Sequence, residues 1–149
     1  MVALKFAGSM TAIASFLHVL IIFGGADWYR FFGAGEGMAR LSEQGELYPT
    51  IVTSGIVFVL AIWSIYAFSG AGIITRLPFT KTVLSLVSLV FLARGFLAIP
   101  LVLNSDSLYM QELAEKMTFM VTTSLVCIIL GAAYAVGTCR LIKAGRLAK

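Results

Sequence analysis

The sequence predicts an all-α membrane protein, an up-down bundle of four transmembrane helices with both termini in the cytoplasm. Three observations carry this. Of the 149 residues 60% are hydrophobic and only 12% charged, with a mean hydropathy of +0.98; a soluble domain is nearer half apolar and a quarter charged. The apolar residues gather in four stretches, each close to the roughly 20 residues that a helix needs to cross the hydrocarbon. Seven of the 11 basic residues lie on one side of those stretches, against Arg30, Arg40 and Lys116 on the other, the excess that the positive-inside rule reads as cytoplasmic.

The first span runs from Phe6 to Ala26, between Lys5 and Asp27, the second from Thr50 to Gly70, the third from Thr82 to Leu103 with Arg94 inside it, and the fourth from Thr118 to Cys139. The bilayer core offers no water to unpaired backbone groups, so stretches of this length are helices; barrel strands would be shorter and strictly alternating. The connections are too short for a soluble domain, so residues 1–149 read as one membrane domain. Gly24 and Ala26 resemble a leader-cleavage site, but an apolar run of about 20 residues is long for a signal peptide, and the expectation is that the first span is retained.

Lys5, Arg76, Lys81, Arg140, Lys143, Arg146 and Lys149 lie on one side, which makes it cytoplasmic. All seven acids (Asp27, Glu36, Glu43, Glu46, Asp106, Glu112 and Glu115) fall in residues 27–49 and 104–117, the two loops placed on the outer face. The net charge of +4 and pI near 9.3 do not indicate a nucleic-acid partner, because the basic residues are scattered at span ends. Trp28, Tyr29 and Tyr48 are expected as interfacial anchors.

Cys127 and Cys139 share one helix, about 18 Å apart, and cannot bond within the chain. There is no CxxC pair, and the one histidine gives no bis-histidine haem. A single His without a converging ligand set gives no metal site. No cofactor and no catalytic residue are assigned. In the first outer loop Gly33, Gly35 and Gly37 alternate with Ala34 and Glu36; without a strand before and a Rossmann helix after, this is a glycine-permissive loop rather than a nucleotide fingerprint. A turn or two of helix is expected over Met38 to Gln44. In the third loop the fourth helix is expected to begin early, with Glu112 and Lys116 paired at i, i+4. His18 and Arg94, one in the first span of each half, hint at a two-fold repeat, although the halves share no visible sequence identity.

An ionisable residue inside a span is expensive and reads as functional. Arg94 lies nine residues before Leu103, about 13 Å from the outer end of its helix; His18 lies eight before Ala26, about 12 Å from the same surface. Thr53 and Ser54 on the second span, and Thr122, Thr123 and Ser124 on the fourth, lie nearer that surface. The four spans thus predict an outward-facing polar pocket, with Asp27, Arg30 and Glu36 as its cap. Three roles stay open for Arg94: clamped by Asp27 or Glu36, anchoring an anion or lipid head group, or snorkelling outward. His18 lies with Thr11, Ser15 and Gly25 on one small-polar stripe, which suits helix packing and hydrogen bonding across helices; a proton relay is the alternative. Pro100 frees the Phe96 carbonyl, and the pairs Gly131/Ala135 and Ala133/Gly137 mark close packing within the bundle or between copies.

The strings DWYRFFGAGEG, SGAGIITRLP and LARG resemble those of a group of small bacterial four-span inner-membrane proteins. The resemblance covers most of the chain and implies fold and location only. The disulfide-forming quinone reductases, b-type cytochromes and small multidrug exporters fit badly, lacking respectively the cysteine pair, the histidines and the first-span acid they require. The functional expectation is a non-enzymatic membrane protein whose pocket, lined by Arg94, His18, Asp27, Arg30, Glu36, Thr53, Ser54 and Thr123, binds a small anion or lipid head group. The alternatives are an accessory subunit of a larger membrane complex or a homo-oligomer, and an enzyme acting on a lipid-linked substrate with His18 as base and Asp27 or Glu36 as acid.

Overall fold

The computed structural model describes residues 1–104 and 107–147, with side chains to residue 144. Asp106, Lys149 and the Arg146 side chain, counted in the charge pattern above, lie outside the described residues. The described residues form six helices: α1 (Val2–Phe31), α2 (Glu36–Glu43), α3 (Tyr48–Gly70), α4 (Thr80–Leu103), α5 (Leu108–Glu115) and α6 (Met117–Leu147). Four of them, α1, α3, α4 and α6, are long and apolar enough to cross a membrane.

Neighbouring long helices run antiparallel, as cross-helix hydrogen bonds show. Ser15 Oγ donates to the Val57 carbonyl at 2.9 Å and Ser64 Oγ to the Gly8 carbonyl at 2.8 Å, tying α1 to α3 in opposite directions. Ser88 Oγ donates to the Gly131 carbonyl at 2.8 Å, between α4 and α6. The Tyr134 hydroxyl of α6 lies 3.0 Å from Thr11 Oγ1 of α1, whose own proton goes to the Ala7 carbonyl. Trp63 of α3 meets Phe91 of α4 edge-on, and Phe91 stacks on Tyr134. The four helices therefore close into a ring. Ser15, Ser64 and Ser88 bond across the seams, as suits helices with no hydrophobic force to drive them together, whereas the buried Ser124 and Thr138 hydroxyls of α6 have no hydrogen-bond partner among the described residues.

Glycines set how near α4 and α6 come. A Cβ on Gly95 would lie 3.0 Å from the Ser124 carbonyl oxygen, and one on Gly131 would lie 2.7 Å from Leu92 Cγ. On the other side of α6, a Cβ on Gly137 would meet Leu4 Cγ at 2.5 Å. Gly131 and Gly137 are thus used inside the bundle rather than presented to a second copy.

The main core, including Leu4, Ala67, Leu84, Val87, Phe91, Leu130 and Tyr134, fills the end of the bundle near the termini and its middle. Toward the α1–α3 and α4–α6 connections it splits in two. One branch joins Ile21 and Tyr29 of α1 to Ala39 of α2; the other joins Ala98 and Val102 of α4 to Leu113 of α5 and Met120 of α6. The bundle is parted between these branches. Outward, large apolar side chains such as Phe58, Leu89, Phe96 and Leu125 are exposed. A patch of this extent suits a lipid solvent and would be an aggregation hazard in water.

Several elements differ from expectation. The first helix extends to Phe31 but breaks at Gly25, whose φ of 67° and ψ of −153° lie in a region open to glycine alone. The third loop does not start the fourth helix early. It forms a separate helix, α5, N-capped by Ser107, whose hydroxyl accepts from the Met110 N–H, and stopped at Lys116. Because α5 ends there, Glu112 and Lys116 do not pair: Glu112 accepts from the Glu36 N–H and Lys116 donates to the Arg30 carbonyl. Trp28 and Tyr48 are exposed as interfacial anchors should be, but Tyr29 is only 2% exposed, and its hydroxyl accepts a hydrogen bond from Thr53 at 3.3 Å.

Candidate functional site

The parting of the bundle is a cleft of two adjoining cavities, of ≈570 and ≈400 Å³, which share His18, Ile21, Phe32, Ile56 and Arg94 as walls. The upper one is bounded by Tyr29, Thr53 and Tyr109 and opens beside the connecting segments. The lower one is bounded by Phe91, Phe119, Thr123 and Cys127. Each long helix contributes: α1 brings His18, α3 Thr53 and Ile56, α4 Arg94, and α6 Thr123. The matching depths of His18 and Arg94, read from the sequence, become a shared space.

Hydrogen bonding decides which of these groups can serve a ligand. Thr123 Oγ1 gives its proton to the Phe119 carbonyl at 3.0 Å, and Thr53 Oγ1 gives its proton to Tyr29. Neither hydroxyl is left as a donor. The Tyr29 proton remains, because its oxygen is the acceptor in that bond. His18 Nδ1 lies 2.7 Å from the Ala14 carbonyl, which can only accept, so Nδ1 carries a proton and Nε2 is the ring's free position. The Arg94 guanidinium brings five N–H donors and makes no ion pair with any of the described residues. With Nδ1 protonated, the neutral ring presents Nε2 as an acceptor, so the donors that the cleft offers are the Arg94 guanidinium and the Tyr29 hydroxyl, and the guanidinium has no counter-ion among the described residues.

The acids proposed to neutralise Arg94 are committed elsewhere. Glu36 takes a bidentate pair from Arg30, with Nε at 2.8 Å and Nη2 at 3.0 Å, and a third bond from Arg40 Nε at 3.1 Å. The Arg30 guanidinium, followed by that of Arg40, lowers the Glu36 carboxyl from an ordinary 4.5 to about 2. Arg30 also holds Glu43 at 2.7 Å. Asp27 is 94% exposed and approaches only Arg30, at 3.5 Å. These residues form a cap in which α2 and α5 lock onto the end of α1, and the Tyr109 hydroxyl donates to the Gly33 carbonyl across it. The cap has its own cavity of ≈360 Å³, walled by Arg30, Glu36, Glu112, Glu115 and Lys116.

Compared with family models, curated proteins and solved structures, the chain matches none. The site is accordingly argued from its own geometry.

Of the eight candidate residues, Arg94 and His18 line both cavities, Thr53 lines the upper one and Thr123 the lower. Asp27, Arg30 and Glu36 belong to the cap, and Ser54 lines neither cavity. Phe96 is not among the cleft walls either, so its carbonyl has no visible part there. Among the described residues no three His, Cys, Asp or Glu side chains converge as a metal site would require. Sequence reasoning missed Tyr29, Phe32 and Phe119 as walls. The signal for the first two was the Gly24–Gly25 pair: the break lets residues 26–34 fold over the opening instead of continuing the helix axis. Phe119 carried no signal, since one phenylalanine among many at a span end looks like a lipid-facing ring.

Proposed function

We propose that this chain is an integral membrane protein that binds an anion, either a small solute or a lipid head group, with Arg94 as anchor and His18 as a neighbouring wall of the site. The observation that carries the reading is the guanidinium within a membrane-spanning helix, beside a cleft, with no carboxylate from the described residues paired to it. An intramembrane cation is costly unless something neutralises it, and a carboxylate or phosphate fits its planar fork. The clamp reading loses support because Glu36 and Asp27 face Arg30. The acid–base pair imagined for an enzyme is not formed either, since neither acid lines the cleft with His18. The accessory-subunit reading loses its sequence basis, because Gly131 and Gly137 pack within the bundle.

We place the protein in the bacterial inner membrane, termini in the cytoplasm and the cap on the outer face. The asymmetry of Lys and Arg supports this sidedness, and the resemblance noted above supports the location. Native mass spectrometry of protein extracted gently from its membrane tests the binding. A stoichiometric small anionic adduct is expected on the wild type and absent from Arg94→Leu, with the helical circular dichroism unchanged. A bare wild-type chain, or an adduct that survives the substitution, would refute it.

A further inference from the structure

The lower cavity does not end beneath Arg94. Ala14, Leu17, Val126 and Leu130 wall it and also wall a third cavity of ≈290 Å³, which continues along the α1–α6 seam to Phe6. Among the described residues no charged or hydroxyl-bearing side chain lines this third space. Phe6, Met10, Ile13 and Leu17 recur at spacings of four, three and four, which puts them on one face of α1. All four are exposed, as are Val126 and Ile129 across the seam. The result is an apolar groove, open to the bilayer, with a cation at one end.

The groove has a definite length. From His18 to Phe6 is 12 residues, about 18 Å of helix rise. One leaflet's hydrocarbon is about half of a 30 Å core, or about 15 Å. The groove is therefore about one acyl chain long, and it lies along one of the bundle's four seams, the α1–α6 seam that continues the lower cavity. A free inorganic anion would use Arg94 and leave the groove to bulk lipid, whereas a two-chained lipid would need a second groove. A singly charged carboxylate matches the guanidinium fork with both oxygens and carries less charge to desolvate than a phosphate dianion.

We infer that the ligand is a single-chain anionic amphiphile of the long-chain carboxylate class, its head on Arg94 beside His18 and its chain along the α1–α6 groove. This rests on the anion-binding reading above and adds the chemical class. Inside the bilayer the chain gains little from the groove, since lipid tails are equally apolar; Arg94 selects the ligand and the groove orients it.

Radiolabelled palmitate is titrated onto the purified full chain in an uncharged detergent, with hexadecanol, acetate and inorganic phosphate as competitors. The proteins are wild type, Arg94→Gln and Val126→Trp. Val126 is half exposed on the groove wall, so its indole obstructs the chain path without entering the core, and gel filtration and circular dichroism verify the fold of each variant. One palmitate per chain is expected. Hexadecanol, acetate and phosphate should each compete about ten-fold or more less well, and each variant should bind about ten-fold or more weaker. Acetate or phosphate binding as tightly as palmitate, dependent on Arg94 and indifferent to Val126→Trp, would overturn the amphiphile and leave the anion reading standing. Hexadecanol competing as well as palmitate would overturn the head-group assignment and so the inference. Binding of none of the anions would overturn both readings.

Discussion

Glu36 shows how much one side chain can be asked to hold. It bridges Arg30 and Arg40, and its backbone N–H reaches Glu112, so three helices meet at one residue. Its carboxyl is lowered to about 2 in the folded chain from 4.5. The folded state thus prefers the ionised form, and the stabilisation is complete above pH 4.5 and lost as pH falls from there to about 2. The cap is solvent-accessible, so the effect is modest. Thermal midpoints of wild type and Glu36→Gln should differ at neutral pH and converge across that window; a gap that stays constant down to pH 2 would argue against the ion-pair account. At this scale the sequence was legible where depth decides and opaque where partners decide. Residue counting along two helices put His18 and Arg94 at one level, and they share a cleft. Nothing in the spacing could tell that Glu36 would choose Arg30, because the sequence reads both as parts of one outer loop, whereas the structure places them at the end of α1 and the start of α2.

Gly25 plays the corresponding part among the helices. It stands at φ 67° and ψ −153° within α1, and a Cβ there would meet no atom within 4 Å. The cost of a side chain is therefore backbone strain alone, of order 1–3 kcal/mol. Gly55 in α3 also has open space around its Cβ, but it carries no left-handed φ. Gly25→Ala should lower the stability of the detergent-purified protein in a denaturant titration by about 1–3 kcal/mol. Gly55→Ala should leave it unchanged or raise it by up to about 1 kcal/mol. Equal effects would mean that the break is not what the α1 backbone requires. The four long helices were legible because about 20 apolar residues in a row leave few alternatives. The break was not, since glycine is common inside membrane helices and only the folded-over cap reveals which one departs from the helix. Lys116 escaped as well: QELAEK reads as continuous helix, whereas α5 stops at Lys116 with Leu113 packed among Ala98, Val102 and Met120.

The whole molecule has a predicted sidedness that one native thiol can report. Cys139 is exposed near the C-terminal end of α6, and Cys127 lines the cleft. In a Cys127→Ser background, a membrane-impermeant maleimide should label Cys139 in inverted inner-membrane vesicles and leave it unlabelled in intact spheroplasts. The opposite pattern would reverse the orientation drawn from the basic residues. Charge asymmetry is visible in a sequence because it acts through counts of residues, whereas the split of the core into two branches is a matter of tertiary packing. The small-residue pairs on α6 were visible too, yet their partner was not: the same spacing serves a neighbouring helix or a second copy, and Leu92 and Leu4 are what fill it.

The break at Gly25 also settles how well the bundle matches its solvent in thickness. Without it α1 would be a straight rod of 30 residues, about 45 Å long, beside an α3 of 23 residues and about 34 Å. Such a rod would have to tilt steeply or stretch the lipid around it. Ending the straight segment at Gly24 leaves 23 residues, about 34 Å, level with α3 and with the 24 residues and about 36 Å of α4. Three of the four spans then have nearly equal helix lengths, so a change in bilayer thickness loads those three together, while α6, at 31 residues, runs on past Cys139 into the stretch that carries Arg140 and Lys143.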